Sequence, residues 1–192
     1  MSDMEANPPS PLAEQFLIAM PAMDDPHFAR SLTLVCQHDG QGAMGLVVNR
    51  LSEYCLGDVL GQMDIHSEDT ELTRRPVLAG GPVNPERGFV LHDDPGDWDS
   101  TLRIRDGLFV TTSRDILEAM AAGRGPSRSL VTLGYAGWEA GQLEAELLHN
   151  SWLTLPCSED LLFSEPVEAR WHSAVTRLGI DIGKLADYAG HA

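Results

Sequence analysis

Lysine is almost absent from this chain: Lys184 is its one example, and the other twelve basic residues are arginines. Set against 29 acidic residues, they leave a formal net charge of −16. Non-specific affinity for nucleic acid depends on Lys and Arg releasing counterions from phosphate, and a DNA reader usually carries a basic stripe. The sequence has no such stripe, so direct DNA binding is disfavoured, and anionic membrane surfaces are disfavoured for the same reason.

Cysteine is scarce as well. Cys36, Cys55 and Cys157 make an odd set with no Cys-x-x-Cys pair. The acidic start, Met1-Ser2-Asp3-Met4-Glu5, lacks the cationic and apolar regions of a signal peptide. A cytoplasmic protein with reduced thiols is therefore expected. No apolar run approaches the length of a membrane-spanning helix. The His-Glu-x-x-His pattern, the calcium loop, the phosphate loop ending in Gly-Lys-Ser/Thr and the dinucleotide glycine motif are all missing. No metal or cofactor is expected.

What is present reads as one domain over residues 13–192 behind a flexible tail over 1–12, where Pro8, Pro9 and Pro11 stand among small and acidic residues. Strands are predicted at Phe16–Met20, Ser31–His38, Ala43–Arg50, Val77–Ala79, Phe89–His92, Thr101–Arg105, Leu108–Thr111, Leu130–Leu133 and Ser151–Leu155. Gly40-Gln41-Gly42 and Asp106-Gly107 mark hairpins. Leu56, Val59, Leu60 and Met63 recur at helical spacing, and residues 64–71 read as an exposed acidic loop. A helix capped by Thr112 or Ser113 runs to Ala122. Others start near Trp138, Ser158 and Pro166, and a last one covers Ile182–Tyr188. Hairpins interleaved with helices exclude a purely parallel sheet, so the fold class is α+β with a mixed sheet.

Three constellations deserve a chemical reading. Cys36 and His38 share one face of a predicted strand, as a nucleophile and its base would, but a buried free thiol usually packs as a small hydrophobe. His92-Asp93-Asp94 with Asp97 offers metal-binding atoms without a convergent spacing, and a solvated loop explains it. Gly80-Gly81-Pro82 and Gly134-Tyr135-Ala136-Gly137 read as glycine-rich corners, the second leading into a helix at Trp138. Either these glycines serve turn geometry, or they present backbone N–H groups to a small anion. The candidate binding set is Asn49, Arg50, Gly80, Gly81, Gly134, Gly137, Trp138 and Gln142, with Arg50 the cation expected to face the second corner. Gly134 and Gly137 are expected to exclude a side chain. Ala140, Leu143 and Leu147 should form the buried face of the helix, and Glu139, Gln142 and Glu146 the exposed one. No catalytic residue is assigned.

Several of these segments together carry a family resemblance: Phe16-Leu17-Ile18-Ala19-Met20-Pro21, Gly42 through Arg50, Gly80-Gly81-Pro82-Val83, Arg87 through His92, residues 134–147, and Asn150-Ser151-Trp152-Leu153. In this order they resemble the YqgE/AlgH family of bacterial proteins over nearly everything after the tail. The resemblance implies an α+β fold with a bifurcated, partly barrel-like sheet surrounded by helices. It also implies the family's label of transcriptional regulator, given after a link to alginate control. It supplies no catalytic residue. One departure is Leu51, where the family commonly has proline. The combined expectation is a non-enzymatic regulatory or binding protein working through protein partners, with any effect on transcription indirect. The alternative is an enzyme or small-anion-binding protein with a pocket near Arg50 and Gly137/Trp138.

Overall fold

The computed structural model describes residues 12–181, 183 and 184. Along the chain run β1 (Gln15–Ala19), β2 (Leu32–Asp39), β3 (Gly42–Val47), β4 (Leu51–Cys55), α1 (Leu56–Gln62), α2 (Thr70–Arg74), β5 (Pro76–Ala79) and β6 (Val83–His92). Then follow β7 (Thr101–Arg105), β8 (Leu108–Thr111), α3 (Arg114–Ala121), β9 (Ser129–Glu139), α4 (Gln142–Leu148), β10 (Trp152–Pro156), α5 (Glu159–Phe163), a 3-10 turn (Val167–Ala169) and α6 (Arg170–Arg177). The predicted tail and most of the predicted last helix lie outside the described residues.

These strands form one curled half-barrel sheet in the order β10-β1-β2-β3-β9-β6-β8-β7, and the chain is a single α+β domain. The sheet forks at β9. One edge of β9 pairs antiparallel with β6. The other edge is shared: Thr132 and Leu133 pair parallel with β5, whereas Ala136–Glu139 pair antiparallel with β3. Strand β4 hangs on β5 and pairs with no other described strand. The mixed, bifurcated sheet implied by the resemblance is therefore present.

Strand β9 corrects the reading of residues 134–138 as a corner. Burial alternates through them: Ala136 and Trp138 are buried, and Gly137 and Glu139 are exposed. That two-residue period is the mark of a half-buried strand, and glycine inside a strand signals a close backbone approach as readily as a turn. The turn falls instead at Gly141, with φ +76°, and α4 begins only at Gln142.

The strand β2 corrects a second expectation. A bulge between Val35 and Gln37 adds one residue against β3. Cys36 joins the core cluster with Leu32 and Leu34, whereas His38 pairs across from Ala43 and reaches Glu144 on α4, 2.5 Å away. An inserted residue flips every later side chain to the opposite face, so the thiol and imidazole do not share one. Burial raises the Cys36 thiol pKa, and that of Cys157 to about 12. All three cysteines are free.

Two short elements were not expected. Asp69 caps α2 by accepting the N–H groups of Glu71 and Leu72, and Leu72 is buried, so the acidic segment ends in a helix. β4 follows β3 after a break at Asn49 and Arg50.

The core divides around the sheet. Phe16, Leu32, Leu34, Leu46, Phe89, Leu91 and Val110 pack with Leu161, Leu162, Trp171 and Val175 of α5 and α6. Leu56, Leu60, Val90, Ile116, Leu117 and Val131 pack α1 and α3 over the other end. A third cluster joins Leu17, Val35, Ala136, Trp138, Leu143 and Trp152 beneath α4. No described helix is long and apolar enough to cross a membrane.

Candidate functional site

The eight candidate residues do not converge. Seven of them divide among three structural tasks, and Gly137 stands apart.

Asn49 and Arg50 hold the loop between β1 and β2. Asn49 Oδ1 accepts the Leu32 N–H at 2.8 Å, and its Nδ2 donates to the Arg30 carbonyl at 2.9 Å. The Arg50 guanidinium donates to the carbonyls of Pro26, His27 and Ala29. Burial lowers its pKa, opposed by the nearby Asp25 carboxylate. The cation therefore faces this loop and not the glycines of β9.

Gly80, Gly81 and Gly134 make the fork. Gly80 N donates to Leu133 O, and Gly80 O accepts from Val47 N, so this one residue links β9 to the end of β3. Gly81 has φ +153°, and a Cβ there would lie 2.1 Å from the Tyr135 carbonyl carbon. Gly134 has φ +78°, and its Cβ would meet the Gly81 carbonyl oxygen at 2.4 Å and Pro85 Cα at 3.2 Å. Backbone crosses backbone here with no room for a side chain. Gly137 differs: it is exposed, and a Cβ would be in ordinary contact at 3.6 Å with Tyr135.

Trp138 and Gln142 hold α4. The indole N–H groups of Trp138 and Trp152 both donate to Glu146 Oε2, at 2.7 and 3.0 Å. Phe28 packs on both rings, edge-on to Trp152. Gln142 Oε1 accepts the Glu139 N–H at 3.0 Å. Glu146, expected on the exposed face, is thus turned inward as the acceptor for two tryptophans. His38 and Glu144 add a second tie, and the Glu144 carboxyl is held below its ordinary pKa by its own backbone N–H and by His38.

His92 is fully buried, with Nδ1 2.7 Å from the Asp94 carbonyl oxygen and Nε2 2.7 Å from Thr111 Oγ1. The carbonyl must accept, so Nδ1 carries the proton and Nε2 accepts from Thr111. Burial lowers the imidazole pKa, partly opposed by the Asp94 carbonyl bond and by Asp93 and Asp94. Among the described residues no group of three or more His, Cys, Asp or Glu is arranged to hold a metal.

The concave feature lies elsewhere. A groove of about 540 Å³ runs between β4 with α1 on one side and α3 on the other. Its floor is apolar: Val90, Val131 and Leu133 from the sheet, Val59 and Met63 from α1, Leu117 from α3. Its rim is polar and exposed: Glu53, Tyr54, Gln62, Glu86, Thr112 and Arg114. The Arg114 guanidinium is engaged by Glu118 at 2.6 Å.

An arch in β6 shapes this groove. Val83 pairs with Tyr135 and Gly88 with Leu133, so residues 84–87 leave the ladder and project Pro85 and Glu86 over the rim. Asn84 turns the arch at φ +43°. Gly134 lets Pro85 close onto β9. Where the arch returns, Gly88 lines the groove, and a Cβ built there meets nothing within 4 Å. None of the eight candidates lines the groove. Its residues come from distant segments, and no single stretch of sequence has a pattern that announces it.

Comparison with known proteins fits this architecture. A sequence model of the AlgH-like family matches residues 16–183. UPF0301 proteins of Xanthomonas euvesicatoria pv. vesicatoria and Xanthomonas campestris pv. campestris are each 60% identical over 184 residues, covering 96% of this chain and 98% of the relative. The solution structure of the AlgH protein from Pseudomonas aeruginosa is similar with a TM-score of 0.79 and 47% identity, over 98% of this chain and 100% of that one. A crystal structure from Corynebacterium diphtheriae shares the fold, with a TM-score of 0.72 at 21% identity, over 95% and 94% of the two chains.

Proposed function

Because this chain belongs to the AlgH-like family, we propose that it is a non-enzymatic regulatory protein of the cytoplasm, and that it acts by binding a protein partner in the groove between β4, α1 and α3. The observation that carries this reading is the groove's make-up. An apolar floor walled by exposed polar side chains is what a protein-recognition surface needs: burial supplies affinity, and the rim supplies orientation. The partner is basic, because Glu53 and Glu86 stand on the rim of a chain with net charge −16. An effect on transcription would then run through that partner, because the same charge disfavours contact with DNA.

The test is a pull-down from the native host with the wild-type protein and Gly88→Trp. A Cβ at this groove-lining position meets nothing within 4 Å, so a larger side chain can leave the backbone there without a clash at its first atom. The expected result is a partner recovered by wild type and lost by the folded variant. A partner recovered equally by both would overturn the assignment of this groove.

A further inference from the structure

We propose that the partner enters the groove as an extended segment hydrogen-bonded along the free edge of β4, with apolar side chains on the groove floor and Arg or Lys side chains against Glu53 and Glu86. This rests on the preceding reading and adds the occupant and its mode of binding.

The edge comes first. β4 is paired on one side, to β5, and among the described strands nothing pairs with its other side. An exposed strand edge is a template for another strand, and proteins usually blunt it with charge, proline or a covering element. β4 carries one charge, Glu53, and is otherwise marked by apolar exposure. Leu51 is 59% exposed and Tyr54 40% exposed, two of the three large exposed hydrophobics among the described residues. The third, Leu148, lies on α4. The edge strands β7 and β10 carry none.

The geometry then joins edge to groove. Glu53 and Tyr54 lie where β4 slips out of register with β5, between Leu51 and Cys55, and both are exposed. Both line the groove, so the groove meets β4 along this irregular stretch. A strand added there would lie between that edge and the apolar floor. Its backbone would bond to β4, and alternate side chains would turn onto Val90, Val131 and Leu133, the arrangement of strand addition.

Charge selects the occupant. The rim carboxylates Glu53 and Glu86 are exposed, and the rim's Arg114 is already paired with Glu118. A second copy of this acidic chain would bring like charges together, whereas a segment alternating apolar and basic residues satisfies both floor and rim.

The experiment uses the full chain and a fluorescein-labelled peptide of alternating valine and arginine, read by anisotropy at low salt. Controls are the valine–glutamate analogue and the valine–arginine peptide methylated at alternate backbone nitrogens, in both frames. The expected result is binding that weakens at least about tenfold for the glutamate analogue and for at least one methylated frame, since each change removes several hydrogen bonds or charge pairs at once. Gly88→Trp should weaken it similarly, with a thermal melt confirming that the variant folds. A second variant, Glu53→Arg with Glu86→Arg, should reverse the preference toward the glutamate peptide. On binding, the amides of residues 51–53 should gain protection from hydrogen exchange.

Binding of both methylated frames as tight as that of the unmethylated peptide would overturn strand addition while leaving the groove as a partner site. Equal binding of the acidic peptide would overturn the basic occupant. No binding of the valine–arginine peptide would overturn the proposal, even where a host partner is lost by Gly88→Trp. A dimer whose β4 amides are protected without peptide would replace the partner with a second copy.

Discussion

Gly81 and Gly88 flank the same arch, and they could hardly be used more differently. At Gly81 the backbone of the chain lies against that of Tyr135, and a Cβ would stand 2.1 Å from its carbonyl carbon. At Gly88 a Cβ would meet nothing within 4 Å. The first glycine closes the fork of the sheet; the second leaves the floor of the groove uncovered. Glycine at or beside a strand thus has two opposite meanings, close approach and deliberate vacancy, and only neighbours from other elements tell them apart.

The sharpest test of that contrast is Gly81→Ala. The substituted residue would have to hold φ +153° and push its methyl into the Tyr135 backbone, so the fork must move. A loss of about 3 kcal/mol or more is expected in chemical denaturation. A variant as stable as wild type would remove the distinction between the two glycines.

Next in size is Glu146→Ala, which tests whether the aromatic corner belongs with the fork as scaffold. One carboxylate oxygen accepts from both Trp138 and Trp152, and its removal leaves two indole N–H groups unpaired against the core. A cost of about 2 kcal/mol is expected, with partner binding retained. Loss of binding at unchanged stability would move this corner into the functional half of the comparison.

A smaller effect concerns the wall behind the groove, where Thr111 lines the cavity and bonds to His92. The folded pKa of His92 lies below its ordinary 6.5, because burial disfavours the imidazolium. The unfolded chain therefore takes up the proton first. The His92 contribution is fully present above about pH 6.5 and is lost as pH falls toward the folded pKa. Melting temperature should fall between about pH 7.5 and 5.5, and more steeply for wild type than for His92→Gln. Parallel slopes would show that His92 is not the group responsible.

The smallest effect is expected at Gly137→Ala, within about 0.5 kcal/mol of wild type, because the position is exposed and its Cβ has ordinary contacts. A large loss there would mean that β9 tolerates no side chain on its open face, and would place Gly137 with Gly81.

Much of the fold could be read from local pattern, and the reason is visible in particular elements. The Asp106-Gly107 hairpin, the α1 stripe of Leu56, Val59 and Leu60, and the Ser113 cap of α3 each depend on neighbours within a few residues. The requirement for glycine at 80, 81 and 134 does not: the backbone that would meet their Cβ atoms belongs to a distant segment of the chain. What escaped was set by distant contacts. Residues 134–138 look like a turn, but Gly134 serves the arch in β6, not a bend in its own strand, and Gly137 is merely exposed. Cys36 and His38 look like a pair because a bulge set by the partner strand cannot be seen in an alternating pattern. The groove was least legible, since Tyr54, Val59, Gly88, Leu117 and Leu133 come from five segments and share no spacing. Arg50 stands out in the sequence as a cation, but the carbonyls that satisfy it belong to a loop 21 to 24 residues upstream.

The position of β9 in the sheet also sets a timetable for making the molecule. The path from the wing β10-β1-β2-β3 to the wing β6-β8-β7 passes through residues 129–139, and β5, carrying β4, pairs with the same strand. A chain emerging in order from its N-terminus can close the β2–β3 and β7–β8 hairpins early, because each is a short loop. The strand that unites them arrives when more than two-thirds of the sequence has been made. Until then the apolar edges of three separate ribbons wait uncovered, and long-range topology predicts that the entry of one central strand between partners already formed is slow.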